Sequence, residues 1–457
     1  MKIFNIAIII CLNCLITFCD EEGGIKMILD EKMLNIMLSS LYYRPLNNND
    51  NTKISLPDIG MNRQLQFHIP YFTKDNIKFN FTEKGELTIK MFNLNTYLSG
   101  FNSFSNYKFN DSIGVLSFEQ SVIIRSKLNN SDSGVYIPVF EFNEDPIIDF
   151  EFNSFYNNEF IRNNIYLMLR NNTNRTFTNN FIFFINITLN YIYEKIPKDV
   201  EFSNAGLRLD INMAGPIEPR KNSIQINIYG FLYYERNSKT QNKTKFPLSY
   251  LPSMNKNNSN QLYISNYCIS SAIYTFLLFH SRYQIVFNPN YLKFQYMFPR
   301  IREKYQTSIF YLFLTGTPDI KVELFEGSMN ITFPATFEVK NLEKISLFIS
   351  KVEIVLNAVI NTVDYYPSRI RLFIKDINMK TLNIEKNDIN NDSYFESQFQ
   401  AGFRSLKGDI VEEYNKFIGQ YYFFNDLNSV MNVKFKNYKF EHKKDYVIMT
   451  YDYSKEF

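Results

Sequence analysis

Apolar and polar residues alternate along many short segments of the chain. Alternation with a period of two is typical of antiparallel strands that bury one face of their sheet. The pattern is clearest at residues 85–91, 206–213, 223–230, 319–324, 329–333 and 369–375. These segments lie in both halves of the chain, so we predict antiparallel sheets in both halves.

Helical spacing of apolar residues occurs twice in the first half. Residues 29–41 predict a helix that is capped by Asp30 and buries Met33, Leu34, Met37, Leu38 and Leu41. Residues 154–172 predict a second helix, whose buried face would hold Phe155, Phe160, Ile161, Ile165 and Met168. Its continuation through 178–196 stays open between helix and strand, because this part is rich in β-branched residues.

Two further helices are predicted in the second half. Residues 260–279 begin as a strand and end as a helix, with caps available at Ser265 and Asn266 and an apolar stripe of Cys268, Ile269, Ala272, Ile273, Phe276 and Leu277. Residues 392–424 begin with a capping box of Ser393 and Glu396. Their stripe consists of Phe395, Phe399, Phe403, Leu406, Ile410, Tyr414, Phe417 and Tyr421.

The order of these elements repeats. The first half contains a helix, several strands, a long helix and further strands. A connector follows, and the second half then repeats a similar series. The connector contains Pro216, Pro219, Pro247 and Pro252. The two series do not align residue by residue, so the duplication is one of pattern, and it predicts two α+β units with the same architecture.

The amino terminus has the features of a secretory signal peptide. Lys2 precedes an apolar run, and small residues at Thr17 and Cys19 predict cleavage after Cys19. A membrane anchor is the competing interpretation, but Asn5 and Asn13 interrupt the run. We therefore expect a protein that is secreted or resides in the lumen of the secretory pathway. Cleavage would leave one cysteine, Cys268, which excludes an intramolecular disulfide and suits a buried structural thiol.

Composition and charge narrow the function classes. The chain has 45 Phe and 32 Tyr but no Trp, so many rings must be buried. The net charge is +3, and residues 20–221 carry about four more acidic than basic side chains, which argues against nucleic acid as a partner. The histidines, His68, His280 and His442, are not near Cys or acidic residues at metal-ligand spacing. With no nucleophile elbow or phosphate-binding glycine loop, we expect neither an enzyme nor a cofactor or metal.

The start of the predicted helix in residues 260–279 carries a motif built on Ser265, Tyr267, Ser271 and Ala272. Together with several other segments, this motif resembles the family of bactericidal/permeability-increasing protein, lipopolysaccharide-binding protein and the plasma lipid transfer proteins. In that family the carboxyl-terminal domain opens with an apolar residue, Ser, an acid and an aromatic residue, then two residues and Asn-Ser/Thr-Ala. Residues 264–272 read ISNYCISSA, which fits at Ser265, Tyr267, Ser271 and Ala272 and departs at Asn266 and Ser270. Residues 24–34, 54–60, 223–235, 369–382 and 431–453 resemble other family segments in the same order. The family's usual disulfide is missing, which suits a distant branch.

The resemblance implies an elongated fold of two domains, each a twisted antiparallel sheet wrapped around a long helix, joined by a central sheet. The implied boundaries are a signal peptide at 1–19, a lipid-binding domain at 20–215, an interdomain strand and linker at 216–257 and a second lipid-binding domain at 258–457. Some members of the family bind bacterial lipid A through a cationic tip. The slightly acidic amino-terminal half predicts only weak attraction of that kind here.

The resemblance also implies the function. Apolar pockets in each domain would hold acyl chains of phospholipid or other lipid, and the protein would transfer lipid as a monomer with transient contact to a membrane surface. The residues expected to line these pockets are Met33, Leu34, Met37, Leu38, Leu41, Ile269, Ala272, Ile273, Phe276 and Leu277. Several sequons permit glycosylation. The alternative is a secreted or surface-associated interaction protein that uses the same fold as a scaffold.

Overall fold

The structure is a computed structural model. It describes residues 24–41, 53–56, 65–68, 76–102, 107–129, 135–152, 198–201, 207–234, 251–254, 260–279, 282–287, 292–305, 309–363, 366–389, 393–418 and 433–455, together with residue 246 and ten positions between 179 and 194. The predicted signal peptide and the predicted helix at 154–172 lie outside the described residues.

The described chain contains five named helices and 22 strands. The helices are α1 Glu31–Leu41, α2 Asn266–Phe279, α3 Leu292–Met297, α4 Ile301–Lys304 and α5 Phe395–Ile418. The strands up to the middle of the chain are β1 Ile25–Asp30, β2 Lys53–Leu56, β3 Leu65–His68, β4 Ile77–Phe81, β5 Leu87–Asn102, β6 Tyr107–Leu128, β7 Tyr136–Glu141, β8 Ile147–Phe152, β9 Asp199–Glu201, β10 Leu207–Asp210, β11 Glu218–Arg220, β12 Ser223–Ile228 and β13 Phe231–Tyr234. The remaining strands are β14 Gln261–Ser265, β15 Arg282–Phe287, β16 Phe310–Gly316, β17 Lys321–Phe325, β18 Ser328–Lys340, β19 Ser346–Val363, β20 Tyr366–Asn387, β21 Val433–His442 and β22 Tyr446–Lys455.

The strands form four sheets, and every pairing among the named strands is antiparallel. One sheet has the order β2-β3-β5-β6-β7 with β4 and β8 attached, and another has the order β15-β16-β18-β19-β20 with β17 attached. A three-stranded sheet has the order β13-β10-β9. The prediction of antiparallel sheets with few helices is confirmed, whereas the division into two domains stays a prediction.

The fourth sheet, which we call the central sheet, joins distant parts of the chain. Its order is β11-β12-β1-β14-β22-β21, so strands from both ends and from the middle lie side by side. One face of β1 carries Ile25, Met27 and Leu29 into the large hydrophobic core. Because side chains alternate along a strand, Lys26 and Ile28 point to the opposite face.

The opposite face of the central sheet is covered by residues 251–254. Lys26 is fully buried there, and its Nζ donates to the carbonyl oxygens of Leu251 at 3.0 Å and Pro252 at 3.3 Å. Ile28 packs in a small second cluster with Leu251, Met254 and Tyr263. Burial is the main reason that the pKa of Lys26 falls to about 8. The connector predicted from its prolines is therefore fastened to the first strand.

Six residues of the stripe predicted for residues 392–424 are buried on α5, whereas the side chain of Phe417 and the whole of Tyr421 lie outside the described residues. Phe395, Phe399, Phe403, Leu406, Ile410 and Tyr414 all face the core. Rings from α3, β15, β16, β18, β19 and the segment between α3 and α4 surround the start of this stripe, with neighbouring centroids 4.8–6.2 Å apart. With the two rings of α5, the cluster consists of Phe287, Phe294, Phe298, Phe310, Phe337, Phe348, Phe395 and Phe399. This cluster buries part of the large phenylalanine content.

Two asparagines fasten helices to strand backbones. Asn35 of α1 donates to the carbonyl of Phe79 at 3.0 Å and accepts from its N–H at 3.0 Å. Asn415 of α5 makes the same pair of bonds to Ile374 of β20, at 2.8 and 2.9 Å. Each amide side chain thus takes the place that the peptide of a neighbouring strand would occupy.

The helix boundaries agree closely with the sequence patterns. Asp30 caps α1, because its Oδ1 accepts from the N–H of Met33 at 2.8 Å. α5 begins at Phe395, so Tyr394 precedes it directly, and the predicted capping box at Ser393 placed the start one residue too early. The described positions between 179 and 194 are helical, which favours helix over strand in the segment left open.

Candidate functional site

The chain runs from β14 directly into α2, the helix that carries half of the predicted lipid-binding residues. The Oγ of Ser265 accepts from the N–H of Cys268 at 3.3 Å, so the predicted cap is present. Asn266 donates its side-chain N–H to the carbonyl of Val322 at 3.0 Å. The start of α2 is therefore held against β17.

One side of α2 is fastened to β13 by two hydroxyl groups. The N–H of Leu232 donates to the Oγ of Ser271 at 3.1 Å. The hydroxyl hydrogen of Thr275 is shared between the carbonyls of Leu232, at 3.0 Å, and Ser271, at 2.7 Å. Ser271 also donates to the carbonyl of Cys268 at 2.8 Å. Both hydroxyl groups are buried and hydrogen-bonded, so this side of the helix is part of the packed interior of the protein.

The other side of α2 is apolar and less completely covered. At about 100° per residue, Ile273 and Phe276 lie about 100–160° around the helix from Ser271 and Thr275, and Ala272 lies at the edge of this side, about 60° from Thr275. These three side chains are half-buried and pack against the large core, whereas Ile269 and Leu277 are buried. We call Ala272, Ile273 and Phe276 the open face of α2. The apolar composition of α2 follows from this burial. Most of the helix is interior, and apart from Asn266 its half-buried residues are apolar, namely Ala272, Ile273, Phe276 and Leu278.

The predicted residues of α1 are described in part. Met33 is buried and Leu34 is half-buried, and both pack in the large core. The side chains of Met37, Leu38 and Leu41 lie outside the described residues. α1 lies against β4 and the hairpin of β21 and β22, whereas α2 lies against β13, β14 and β17. The lining role of all ten residues stays a prediction.

The position of α1 is fixed by the last strand of the chain. The hydroxyl of Tyr453 donates to the carboxylate of Asp30, with 2.7 Å to each oxygen. Burial, followed by the hydrogen bond and the charge of Asp30, raises the pKa of Tyr453. The ammonium of Lys32 lies 4.9 Å above the same ring. The first helix and the final strand are thus joined through one capping residue.

Cys268 has the properties of a structural thiol. It is buried, and burial raises the pKa of its thiol to about 12. A thiol with that pKa stays protonated at neutral pH and is a poor nucleophile. The described residues contain no group of three or more His, Cys, Asp or Glu side chains that could hold a metal. Of the described helices, none is long and apolar enough to cross a membrane.

Comparison with known proteins gives end-to-end but weak structural similarities. A crystal structure of a lipopolysaccharide binding protein matches with a TM-score of 0.41 and 12% identity, covering 95% of this chain and 100% of that chain. P47 of Clostridium botulinum E1 matches with a TM-score of 0.31 and 13% identity over 95% and 99% of the two chains. P47 from Clostridium botulinum A2 matches with a TM-score of 0.30 and 10% identity over 94% and 97%.

No family model matches the chain, and no curated protein matches it. The structural similarities have TM-scores of 0.30–0.41 and identities of 10–13%, so they identify neither a ligand nor an activity. The comparisons assign the chain to no family.

Proposed function

We propose that this protein binds acyl lipid and carries it in an apolar slot bordered by the open face of α2. The observation that carries the proposal is the contrast between the two sides of this helix. Ser271 and Thr275 lock one side into β13, while Ala272, Ile273 and Phe276 leave apolar surface half-covered on the other. The order of sequence segments that resemble lipid transfer proteins points to the same ligand class.

The energetics favour a slot over a surface patch. At about 0.8 kcal/mol per buried methylene, a two-chain lipid gains roughly 25 kcal/mol from its apolar surroundings in a bilayer. A carrier must offer a comparable environment, or the lipid would not leave the membrane. We propose that the stripes of α1 and α2 supply it, that the ligand is a phospholipid, and that the lipid is released chemically unchanged.

The proposal extends to cellular location and assembly. We propose that the mature chain begins at Asp20, enters the secretory pathway, acts as a monomer and touches membranes only while exchanging lipid. Mass measurement of the mature protein from eukaryotic cells tests the cleavage site. A chain that keeps residues 1–19 and sediments with membranes would support the anchor instead.

Enlarging a residue of the open face should displace lipid. We expect Ala272→Phe to carry less lipid per chain than the unaltered protein, as measured by native mass spectrometry and lipid extraction. The matched control is Ala401→Phe, which makes the same change at an exposed position of α5.

Stability separates a slot from a filled core. In a packed core the added ring costs about 1–3 kcal/mol, whereas in a slot it occupies space that an acyl chain can vacate. After both proteins have been stripped of lipid, the thermal midpoint of Ala272→Phe should therefore stay close to that of the unaltered protein. Stripping is needed because bound ligand itself raises the midpoint. Early unfolding with normal lipid content would contradict the slot and favour the interaction scaffold.

A further inference from the structure

A cleft of about 470 Å³ lies at one end of the sheet that contains β19. It forms where the turn between β17 and β18 meets β19, β20 and the end of β21. Its walls include Glu326 and Gly327 of the turn, Ile360 of β19, Lys375 of β20, and Phe440 and His442 of β21. The volume falls in the range of about 300–1,000 Å³ that is typical of small-molecule sites.

Two of the charged groups in the cleft neutralise each other, and two do not. Lys443 forms an ion pair with Glu441. The Nζ of Lys375 approaches the carbonyl oxygen of Gly327 at 3.5 Å and pairs with no carboxylate in the described chain. Glu326 forms no ion pair with any described basic group, although its charge contributes weakly to raising the pKa of Lys443. The cleft thus presents one unpaired cation and one unpaired carboxylate.

One wall of the cleft is formed by His442 and by apolar side chains. The Nε2 of the buried His442 accepts from the N–H of Ile360 at 3.1 Å, which joins β21 to β19. Because Nε2 accepts this bond, it carries no proton. Burial is the main cause that lowers the pKa of His442; the bond with Ile360 opposes the shift, and the positive charge of Lys375 adds to it. Ile360 and Phe440 add half-buried apolar surface beside it.

We propose that this cleft binds a small zwitterion, with its anionic group at Lys375 and its ammonium at Glu326. A simple anion would be attracted by Lys375 but repelled by Glu326, and a simple cation would meet the reverse. A molecule that carries both charges satisfies both side chains, and its carbon atoms contact the apolar wall. Two sources share this chemistry: a free amino acid and the ethanolamine phosphate head group of a lipid. The inference does not depend on the acyl-chain slot.

Calorimetric titration of the full chain with sn-glycero-3-phosphoethanolamine, which has the phosphodiester of a lipid head group, and with glycine tests the proposal. Ethanolamine and dimethyl phosphate serve as the two half-ligands. We expect at least one zwitterion to bind more tightly than either half-ligand. Lys375→Gln and Glu326→Gln should each weaken that binding at least tenfold. The controls are Lys380→Gln, an exposed lysine on the same strand, and Glu343→Gln, an exposed acid in the turn after β18. Both controls should keep the affinity of the unaltered protein.

The imidazole of His442 provides a second readout that a general loss of stability would not imitate. An anionic group bound at Lys375 cancels part of the field that lowers the pKa of His442. The pKa of His442, followed by proton NMR, should therefore rise when the zwitterion is added, and should not rise in Lys375→Gln.

The possible results distinguish a lipid head group from a free amino acid, and they distinguish this inference from the proposed lipid-binding function. Tight binding of sn-glycero-3-phosphoethanolamine without glycine identifies a lipid head group, and the reverse identifies a free amino acid. Half-ligands that bind as tightly as the zwitterions, or Gln variants that keep full affinity, would overturn the inference. If no zwitterion binds while the purified protein still contains acyl lipid, this inference fails and the proposed lipid-binding function stands.

Discussion

Replacing Gly402 of α5 by alanine should destabilise the protein, although alanine is the better helix former. A Cβ at Gly402 would lie 2.3 Å from the backbone N and 2.5 Å from the Cα of Met297, at the end of α3. The clash is with backbone, so one of the two helices must shift. Gly402 is buried at the place where α3 and α5 pack together.

The expected magnitude combines two opposing effects. Alanine gains about 0.5–1 kcal/mol over glycine inside a helix, whereas overpacking a filled interior costs about 1–3 kcal/mol and sometimes more. The close backbone contact places Gly402→Ala at the upper end of that cost, so we expect a net loss of about 2 kcal/mol or more.

Gly408→Ala in the same helix is the matched control. This glycine is exposed, and a Cβ there would meet no atom within 4 Å. Only the better helix propensity of alanine applies at this position, so the control should raise the free energy of unfolding by about 0.5–1 kcal/mol. Urea unfolding of the two variants and the unaltered protein, followed by circular dichroism, measures the difference. Equal stabilisation by both alanines would refute the close packing of α3 against α5.

Two further predictions follow from single side chains. Tyr453→Phe removes the hydroxyl that donates to Asp30, and we expect it to lower the free energy of unfolding in urea by about 1.5–3 kcal/mol. The same change at the exposed Tyr394 should lower it little. Equal effects of the two changes would contradict the hydrogen bond to Asp30. His442 has a folded pKa below its ordinary 6.5, so the unfolded chain binds its proton more readily. Its contribution to stability is therefore complete above about pH 6.5 and declines as the pH falls towards the folded pKa. The stability difference between the unaltered protein and His442→Gln should shrink between pH 7 and pH 5, and a constant difference would contradict this assignment.

Local patterns predicted the elements of the fold well. At residues 329–333 the alternation of Met329, Ile331 and Phe333 with polar neighbours corresponds to a strand that buries those three residues. The cap at Asp30 and the aromatic stripe of α5 were also found where the sequence placed them. These features depend on residues a few positions apart in the chain, so they can be predicted from the local sequence.

Features that depend on distant contacts could not be predicted. By alternation, Lys26 looks like a solvent-facing residue of β1, yet it is fully buried because residues 251–254 cross over it. Asn35 and Asn415 look like ordinary helix-surface residues, and their bonds to Phe79 and Ile374 appear only once the strands are placed. The cleft combines the turn at Glu326 with Lys375 and His442, which no local motif connects.

Lipid analysis of the purified mature protein tests the central claim most directly. The full chain would be isolated without detergent, measured by native mass spectrometry and extracted for lipid identification. We predict at least one tightly bound acyl lipid per chain, which exchanges with labelled phospholipid from vesicles and is depleted in Ala272→Phe but not in Ala401→Phe. A protein that is isolated without lipid, and that takes up none from vesicles, would contradict the account.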